Sequence, residues 1–395
     1  MTRPSDSLDQ RSASALALTR LPGCTHHRLG ALLERWAYDP ERAWAAVVDG
    51  DVDPAIIGRS GGGQVVARWK EVAATDDPVS SWQRLAIGQG IGLWLLGDDG
   101  YPPALVDDPD PPPVLFHRGC TAAVVPRRPT VAMVGTRRCT AYGTDVAREL
   151  GRDLAGAGVS VVSGLALGID GAAHEGALAA LPPAAPPIGV VGSGLDVIYP
   201  PRHRSLWRRV AEVGVLLSEA PPGAAPEPWR FPRRNRILAA LADVVVVVES
   251  HASGGSLSTV RAAIDRGVTV MAVPGSVRSP SSAGTNRLLA DGVAPVTEVD
   301  DILVALSLGG APFLAAPDGA GLVAPEAGDD PVLSAVDWTP TATEEVLRRT
   351  GLSIATTTTA LTRLEGSGLL RRRGGWWERV GTPGIGRDRG YTSST

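Results

Sequence analysis

The sequence predicts an α/β protein whose centre is a doubly wound, mostly parallel sheet. Two observations carry this expectation. Apolar runs alternate with amphipathic stretches between residues 130 and 308, as strands and crossover helices do. Glycine turns follow several of those runs, at the edge where an open parallel sheet receives ligands.

In chain order, residues 12–70 read as a small helical module. Leu29, Leu32 and Leu33 fall at helical spacing, and Pro22-Gly23, Asp39-Pro40 and Gly61-Gly62-Gly63 punctuate the helices. Leu21-Pro22-Gly23-Cys24-Thr25 is similar to a helix-hairpin-helix turn, although the second glycine of such a hairpin is missing. Residues 71–129 read as a connecting segment, extended where prolines crowd between Pro102 and Pro113. The central domain, residues 130–308, offers strands at Val131 to Val134, Val159 to Val162, Ile188 to Val191, Val215 to Leu217, Val244 to Val248 and Val268 to Val273. Helical patterns fall at Asp145 to Ala157, Ala172 to Ala180 and Ser256 to Arg266, and right-handed crossovers through them wind a Rossmann-like sheet. Residues 309–330, rich in Gly, Pro and Ala, read as a flexible linker. Residues 331–381 read as a winged-helix unit. Thr341-Ala342-Thr343-Glu344 fits a capping box opening one helix, Ser353 to Glu365 supplies another, and Gly374-Gly375 turns a hairpin before Trp376 and Trp377. Residues 382–395 read as a disordered tail.

Composition narrows the function. The 395 residues are 44% hydrophobic and 20% charged, ordinary for a folded chain of two or three domains. No apolar run approaches the roughly 20 residues that a bilayer requires, and no signal-like stretch opens the chain, so a cytoplasmic protein without membrane contact is expected. Cys24, Cys120 and Cys139 are too scattered for a disulfide framework or a zinc site. The formal charge of −4 leaves any nucleic-acid site to local clustering. Lys70 is the single lysine, so almost every cation is a guanidinium, able to grip phosphate in a fork and to stack on bases.

Gly135-Thr136-Arg137 follows the first central strand, Ser163-Gly164 the second, Gly192-Ser193-Gly194 the third, and Gly254-Gly255-Ser256 the fifth. Together they describe an anion-binding rim on one edge of the sheet. A nicotinamide cofactor is not expected, because no turn has full GxGxxG spacing and the strand ending at Val162 leads to Ser163 rather than an acid. A Walker A loop is absent as well. No cofactor and no metal are expected. Ser163, His174 and Asp170 lie close in sequence, but Ser163 lacks a nucleophile elbow and a structural role is the expectation for all three. The strongest local signal is Trp229-Arg230-Phe231-Pro232-Arg233-Arg234-Asn235-Arg236, leading into a helix from Ile237 to Ala242. Arginines neutralise phosphates while flat rings stack on bases of any sequence, which is the chemistry of single-stranded DNA binding. Arg137 is expected to point from the same edge. Arg202, Arg204, Arg208 and Arg209 fit either a continued positive track or a solvated helix face.

These residues resemble the DprA/Smf family of DNA-processing proteins. The resemblance runs in order through Gly135-Thr136-Arg137, then Ser163 to Asp170 with Ala173-His174, then Gly192-Ser193-Gly194-Leu195-Asp196 with Tyr199-Pro200. It continues through Ser218-Glu219, Phe231 to Arg236, Ser256-Leu257-Ser258-Thr259, Ala272 to Gly275 and Gly284-Thr285-Asn286. The resemblance implies a non-enzymatic protein that coats single-stranded DNA, dimerises with itself and helps load RecA in transformation or recombination. It implies DNA contacts from Arg137, from the Gly192-Ser193-Gly194 turn and from Phe231, Arg233, Arg234, Asn235 and Arg236. Two alternatives stand beside it. One is a lysine-decarboxylase-like nucleoside monophosphate hydrolase, which needs an acid that Val260, Arg261 and Ala262 do not supply after the last glycine turn. The other is an adaptor whose cleft senses a nucleotide.

Overall fold

The computed structural model describes residues 4–58, 62–124, 128–182, 184–308, 331–337, 340–366, 369–373 and 376–379. They fall into two units, Met1–Ala316 and Pro317–Thr395. The expected linker at 309–330, the Gly374-Gly375 turn and the tail at 382–395 lie outside the described residues.

The first unit is organised by one nine-stranded sheet. Its strands are β1 (Ile91–Leu95), β2 (Val114–Gly119), β3 (Thr130–Val134), β4 (Ser160–Ser163), β5 (Ile188–Val190), β6 (Val215–Ser218), β7 (Val244–Val247), β8 (Thr269–Ala272) and β9 (Ala294–Pro295). In space they lie in the order β1-β2-β6-β5-β4-β3-β7-β8-β9. From β6 to β9 every neighbouring pair is parallel. The chain first winds outward from β3 to β6, then returns to lay β7 on the other side of β3. That reversal between β3 and β7 is the switch point at which doubly wound sheets open a crevice.

The valine runs explain why both faces are covered. In β7, Val245 and Val247 enter one apolar core while Val244 and Val246 enter the opposite one. In β3, Ala132 and Val134 divide from Val131 and Met133 in the same way. Alternating side chains that are apolar on both faces need helices on both sides. Ala141–Gly156, Ile169–Ala177, Arg230–Leu241 and Leu257–Ile264 are among those that supply them.

The segment 71–129, expected to be a connector, is instead part of this unit. It holds the helix Pro78–Gln89 and the hairpin of β1 and β2, whose second strand pairs antiparallel with β6. Gly92 interrupts the first apolar run and the prolines obscure the second, so neither stands out as a strand in the sequence. Gly92 is needed there because a side chain would meet the ring of His117, which stacks on Trp94 with centroids 4.0 Å apart. Nor is the proline-rich stretch wholly extended, for Pro103–Val106 forms a helical turn. The N-terminal helices, from Pro4–Arg20 to Gly62–Ala73, bury Leu16, Leu32, Leu33 and Trp69 in one core with Phe116 of β2 and Leu216 of β6.

The second unit has a three-stranded sheet of β10 (Thr341–Ala342), β11 (Leu370–Arg373) and β12 (Trp376–Arg379), in the order β10-β12-β11, with helices at Pro331–Ala335, Thr343–Thr350 and Ile354–Gly366. This is a winged helix around Val346, Leu361, Leu364 and Trp377. The expected capping box does not form. Thr341 lies in β10 and accepts from the Asp337 amide at 3.0 Å, while Ala342 occupies the cap position. Thr343 instead accepts from the Trp377 indole at 2.9 Å, tying helix to wing.

Candidate nucleic-acid interface

A cleft of about 650 Å³ opens over the switch point, at the carboxyl ends of β3 and β7. Gly135, Thr136 and Arg137 form one wall, His251 and Gly254, Gly255 and Ser256 another, and the helix Arg230–Leu241 a third. The two turns are tied together across the crevice. The Thr136 amide donates to Glu249 O at 2.8 Å, and the Thr136 hydroxyl meets His251 Nδ1 at 3.2 Å. Gly135 has no room for a side chain, since a Cβ would press on Ile169 and on Glu249 O. The Gly255 amide donates to no atom among the described residues, leaving a donor on the rim.

Arg137 lies over the Phe231 ring, guanidinium carbon to centroid 4.8 Å, and Tyr199 flanks the same ring with centroids 5.6 Å apart. Among the described residues Arg137 has no ion-pair partner. A small pocket behind this platform is lined by Gly164, Gly192, Ser193 and Phe231. A guanidinium held against a half-buried ring beside glycine turns can take a phosphate and a base face at once. Tyr199 and His251 were not among the expected contacts. Tyr199 follows the third glycine turn closely in sequence, which was the available signal.

The arginine cluster requires correction. Its residues lie within the helix Arg230–Leu241 rather than before it, because Pro232 sits in the first turn, where its missing N–H costs nothing. The helix distributes its cations to three places. Arg234 is buried, donating to Gly164 O at 3.0 Å and to Val190 O, where it locks β4 and β5 to the helix. Burial pulls its pKa down to about 10, with Asp170 partly restoring it. Asp170 is pushed up by the same burial and accepts from the Gly164 amide at 3.1 Å. A Cβ on Gly164 would strike both groups. Arg236 reaches Asp110 at 2.8 Å and Glu219 at 2.6 Å and lines neither the groove nor the pocket beside Phe231. Arg233 also pairs with Glu219, at 3.2 Å. Asn235 lines the groove and donates to the Ser258 hydroxyl at 2.7 Å. Arg202, Arg204, Arg208 and Arg209 are exposed, and none of them lines the groove.

Ser163 and Ser193 are engaged within the fold, whereas neither ring nitrogen of the buried His174 has a hydrogen-bond partner among the described residues. Ser163 donates to Met133 O at 2.6 Å and Ser193 to Val197 O at 2.7 Å. His174 is buried, burial holds its pKa down near 3, and neither of its ring nitrogens meets Ser163 or Asp170. Glu249 caps the helix Ala141–Gly156 by accepting from the Thr140 amide and hydroxyl at 2.8 and 2.6 Å. His26, His27 and Asp110 place potential ligand atoms within 4.8 Å of one another, but Arg236 already holds the Asp110 carboxylate. No helix among the described residues is long and apolar enough to cross a membrane.

Residues 92–307, more than half of the chain, match the family model of DNA recombination-mediator protein A, and residues 316–375 match that of the DprA winged helix domain. The DNA processing protein DprA of Bacillus subtilis is 38% identical over 214 residues, covering 54% of this chain and 71% of that protein. Protein Smf of Escherichia coli is 41% identical over 210 residues, 53% of this chain and 55% of that protein. The crystal structure of DNA processing protein A from Streptococcus pneumoniae superposes with a TM-score of 0.62 at 31% identity, covering 75% of this chain and 97% of that one.

Proposed function

Because the chain belongs to the DprA/Smf family of DNA recombination mediators, we propose that it binds single-stranded DNA with little sequence preference and does no chemistry on it. The observation that carries this reading is Arg137, without an ion-pair partner among the described residues, laid on Phe231 at the mouth of a glycine-lined groove. A strand laid in the groove meets guanidinium charge at its phosphates and ring faces at its bases. Neither contact reads base edges, so sequence tolerance follows. Duplex DNA hides its base faces and gains only the phosphate term. The contacts come from Arg137, Phe231 and the rim of Gly135, Thr136, Gly192, Gly254, Gly255 and Ser256, while Arg234 and Arg236 hold the scaffold in place. Family membership further supports a cytoplasmic, homodimeric protein that delivers RecA to the coated strand.

Hydrolysis of a nucleotide would need a carboxylate free to act in the groove. Asp170, the one acid lining it among the described residues, is buried beside Arg234 and held by the Gly164 amide. The test is competition among thymidine, adenine and mixed-sequence oligonucleotides of one length and their duplex, followed by RecA filament growth on the coated strand. Similar affinities for the three strands, weaker duplex binding and faster filament growth are expected. A strong preference for duplex would overturn the reading, as would release of base from nucleoside monophosphates.

A further inference from the structure

A second cleft, of about 750 Å³, lies on the other side of the Gly192 turn, between the N-terminal helices and the end of β6. Its lining carries four guanidinium groups, from Arg20, Arg230, Arg233 and Arg234, against one carboxylate, Glu219. Arg234 is bound to main-chain carbonyls, Arg233 to Glu219 and Arg230 to the half-exposed Glu227 at 3.3 Å, but Arg20 is exposed at the end of the helix Pro4–Arg20 and has no ion-pair partner among the described residues. Two helices, His26–Arg35 and Arg230–Leu241, start at this cleft, and neither has an acid in its first turn. Both therefore turn N–H groups and a positive dipole end toward it. The cleft also has a flat face. Trp229 is 52% exposed, with the Arg230 guanidinium 4.4 Å and the Arg233 guanidinium 5.9 Å from its ring.

We propose that this cleft is a nucleotide subsite, separate from the groove at the switch point, that stacks a base on Trp229 and holds a phosphate with Arg20, Arg230 and the two helix starts. The N-terminal module thereby becomes part of the nucleic-acid surface. Val191 and Gly192 line both this cleft and the small pocket behind Phe231, so the cleft and that pocket are neighbours across the turn. The nucleotide therefore has two sources, the continuing strand or a free mononucleotide. The strand source rests on the reading of the groove given above, whereas the mononucleotide source does not.

The experiment uses the full chain and its Trp229→Ala, Trp229→Phe, Arg20→Glu and Arg137→Ala variants. Thermal unfolding first confirms that each is folded, as the exposure of Trp229 and Arg20 predicts. Each is titrated with oligothymidylates of increasing length and with thymidine monophosphate. If the strand enters the cleft, Trp229→Ala and Arg20→Glu weaken binding about five-fold or more, but only beyond a threshold length. Trp229→Phe, which keeps a flat ring, restores most of the loss. If the ligand is a free mononucleotide, it binds the wild type and Arg137→Ala alike and is lost in Trp229→Ala. Unchanged affinity at every length, with no mononucleotide binding, overturns the proposal. A loss on the short oligonucleotides in Arg137→Ala alone would then leave the groove reading standing. Unchanged binding in Arg137→Ala would remove the groove reading without touching the result at Trp229.

Discussion

Replacing Arg236 by alanine separates a scaffold arginine from a DNA-binding one. Its side chain is 11% exposed and bridges Asp110, 34% exposed, and Glu219, 16% exposed, at 2.8 and 2.6 Å. Breaking a fully buried pair costs about 3–5 kcal/mol, because the surviving charge is stranded. An exposed pair is worth about 0–1 kcal/mol. The Arg236 pairs stand between these limits, and among the described residues the truncation leaves Glu219 paired with Arg233 alone and Asp110 with His26 alone. A loss of about 2–3 kcal/mol follows, read as a fall in the urea midpoint of the first unit with little change in slope. Single-strand affinity and its salt dependence should stay within two-fold of the wild type, since Arg236 does not face the groove. A variant of unchanged stability whose affinity and salt slope both fall would refute this assignment and return Arg236 to the DNA contacts.

Three further outcomes are expected. Burial pushes the Asp110 carboxyl up, but the His26 hydrogen bond and the Arg236 charge outweigh it and hold its pKa at about 2, below the ordinary 3.8. A depressed carboxylate stabilises the fold fully above the unfolded value and loses that contribution as pH falls through the folded one, so the advantage of wild type over Asp110→Asn should shrink between pH 4 and pH 2. An advantage that is constant over that window would contradict it. Gly164→Ala should cost about 2–3 kcal/mol in chemical denaturation, because the new Cβ collides with Arg234 and Asp170, and near-neutral behaviour would show that the two groups can move apart. Phe231→Ala should weaken oligothymidylate binding by about 1–3 kcal/mol in fluorescence anisotropy, and a Phe231→Trp variant that binds no better than Phe231→Ala would argue against stacking on that ring.

The central sheet was legible because valine runs and glycine turns are local signals. Each of the six expected strands overlaps one from β3 to β8, and of the four expected glycine turns Gly135-Thr136-Arg137 and Gly254-Gly255-Ser256 line the groove at the reversal between β3 and β7, whereas Gly164, Gly192 and Ser193 line the small pocket beside it. The hairpin of β1 and β2 was hidden because Gly92 and the flanking prolines imitate a connector, while the pairing that makes it a sheet edge is with β6, far along the chain. The arginines show the deeper limit. Four guanidinium groups within one helix look alike in sequence, and only helical spacing with distant carboxylates decides their roles. Arg234 turns inward to two carbonyls, and Arg236 finds Asp110 and Glu219. Arg137, isolated in sequence, is the one laid over Phe231. In the second unit, Thr341 and Glu344 satisfied the spacing of a capping box, but pairing with the wing drew Thr341 into a strand.

The most direct test of the groove is the salt dependence of binding by the wild type and Arg137→Ala, measured on one labelled oligonucleotide as a single strand and as a duplex. The wild type should prefer the single strand, with affinity falling steeply as salt rises. The variant should lose affinity and show a slope shallower by about 0.7, the contribution of one neutralised phosphate on a single strand. Equal affinity and slope for a folded Arg137→Ala protein would contradict the account at its centre.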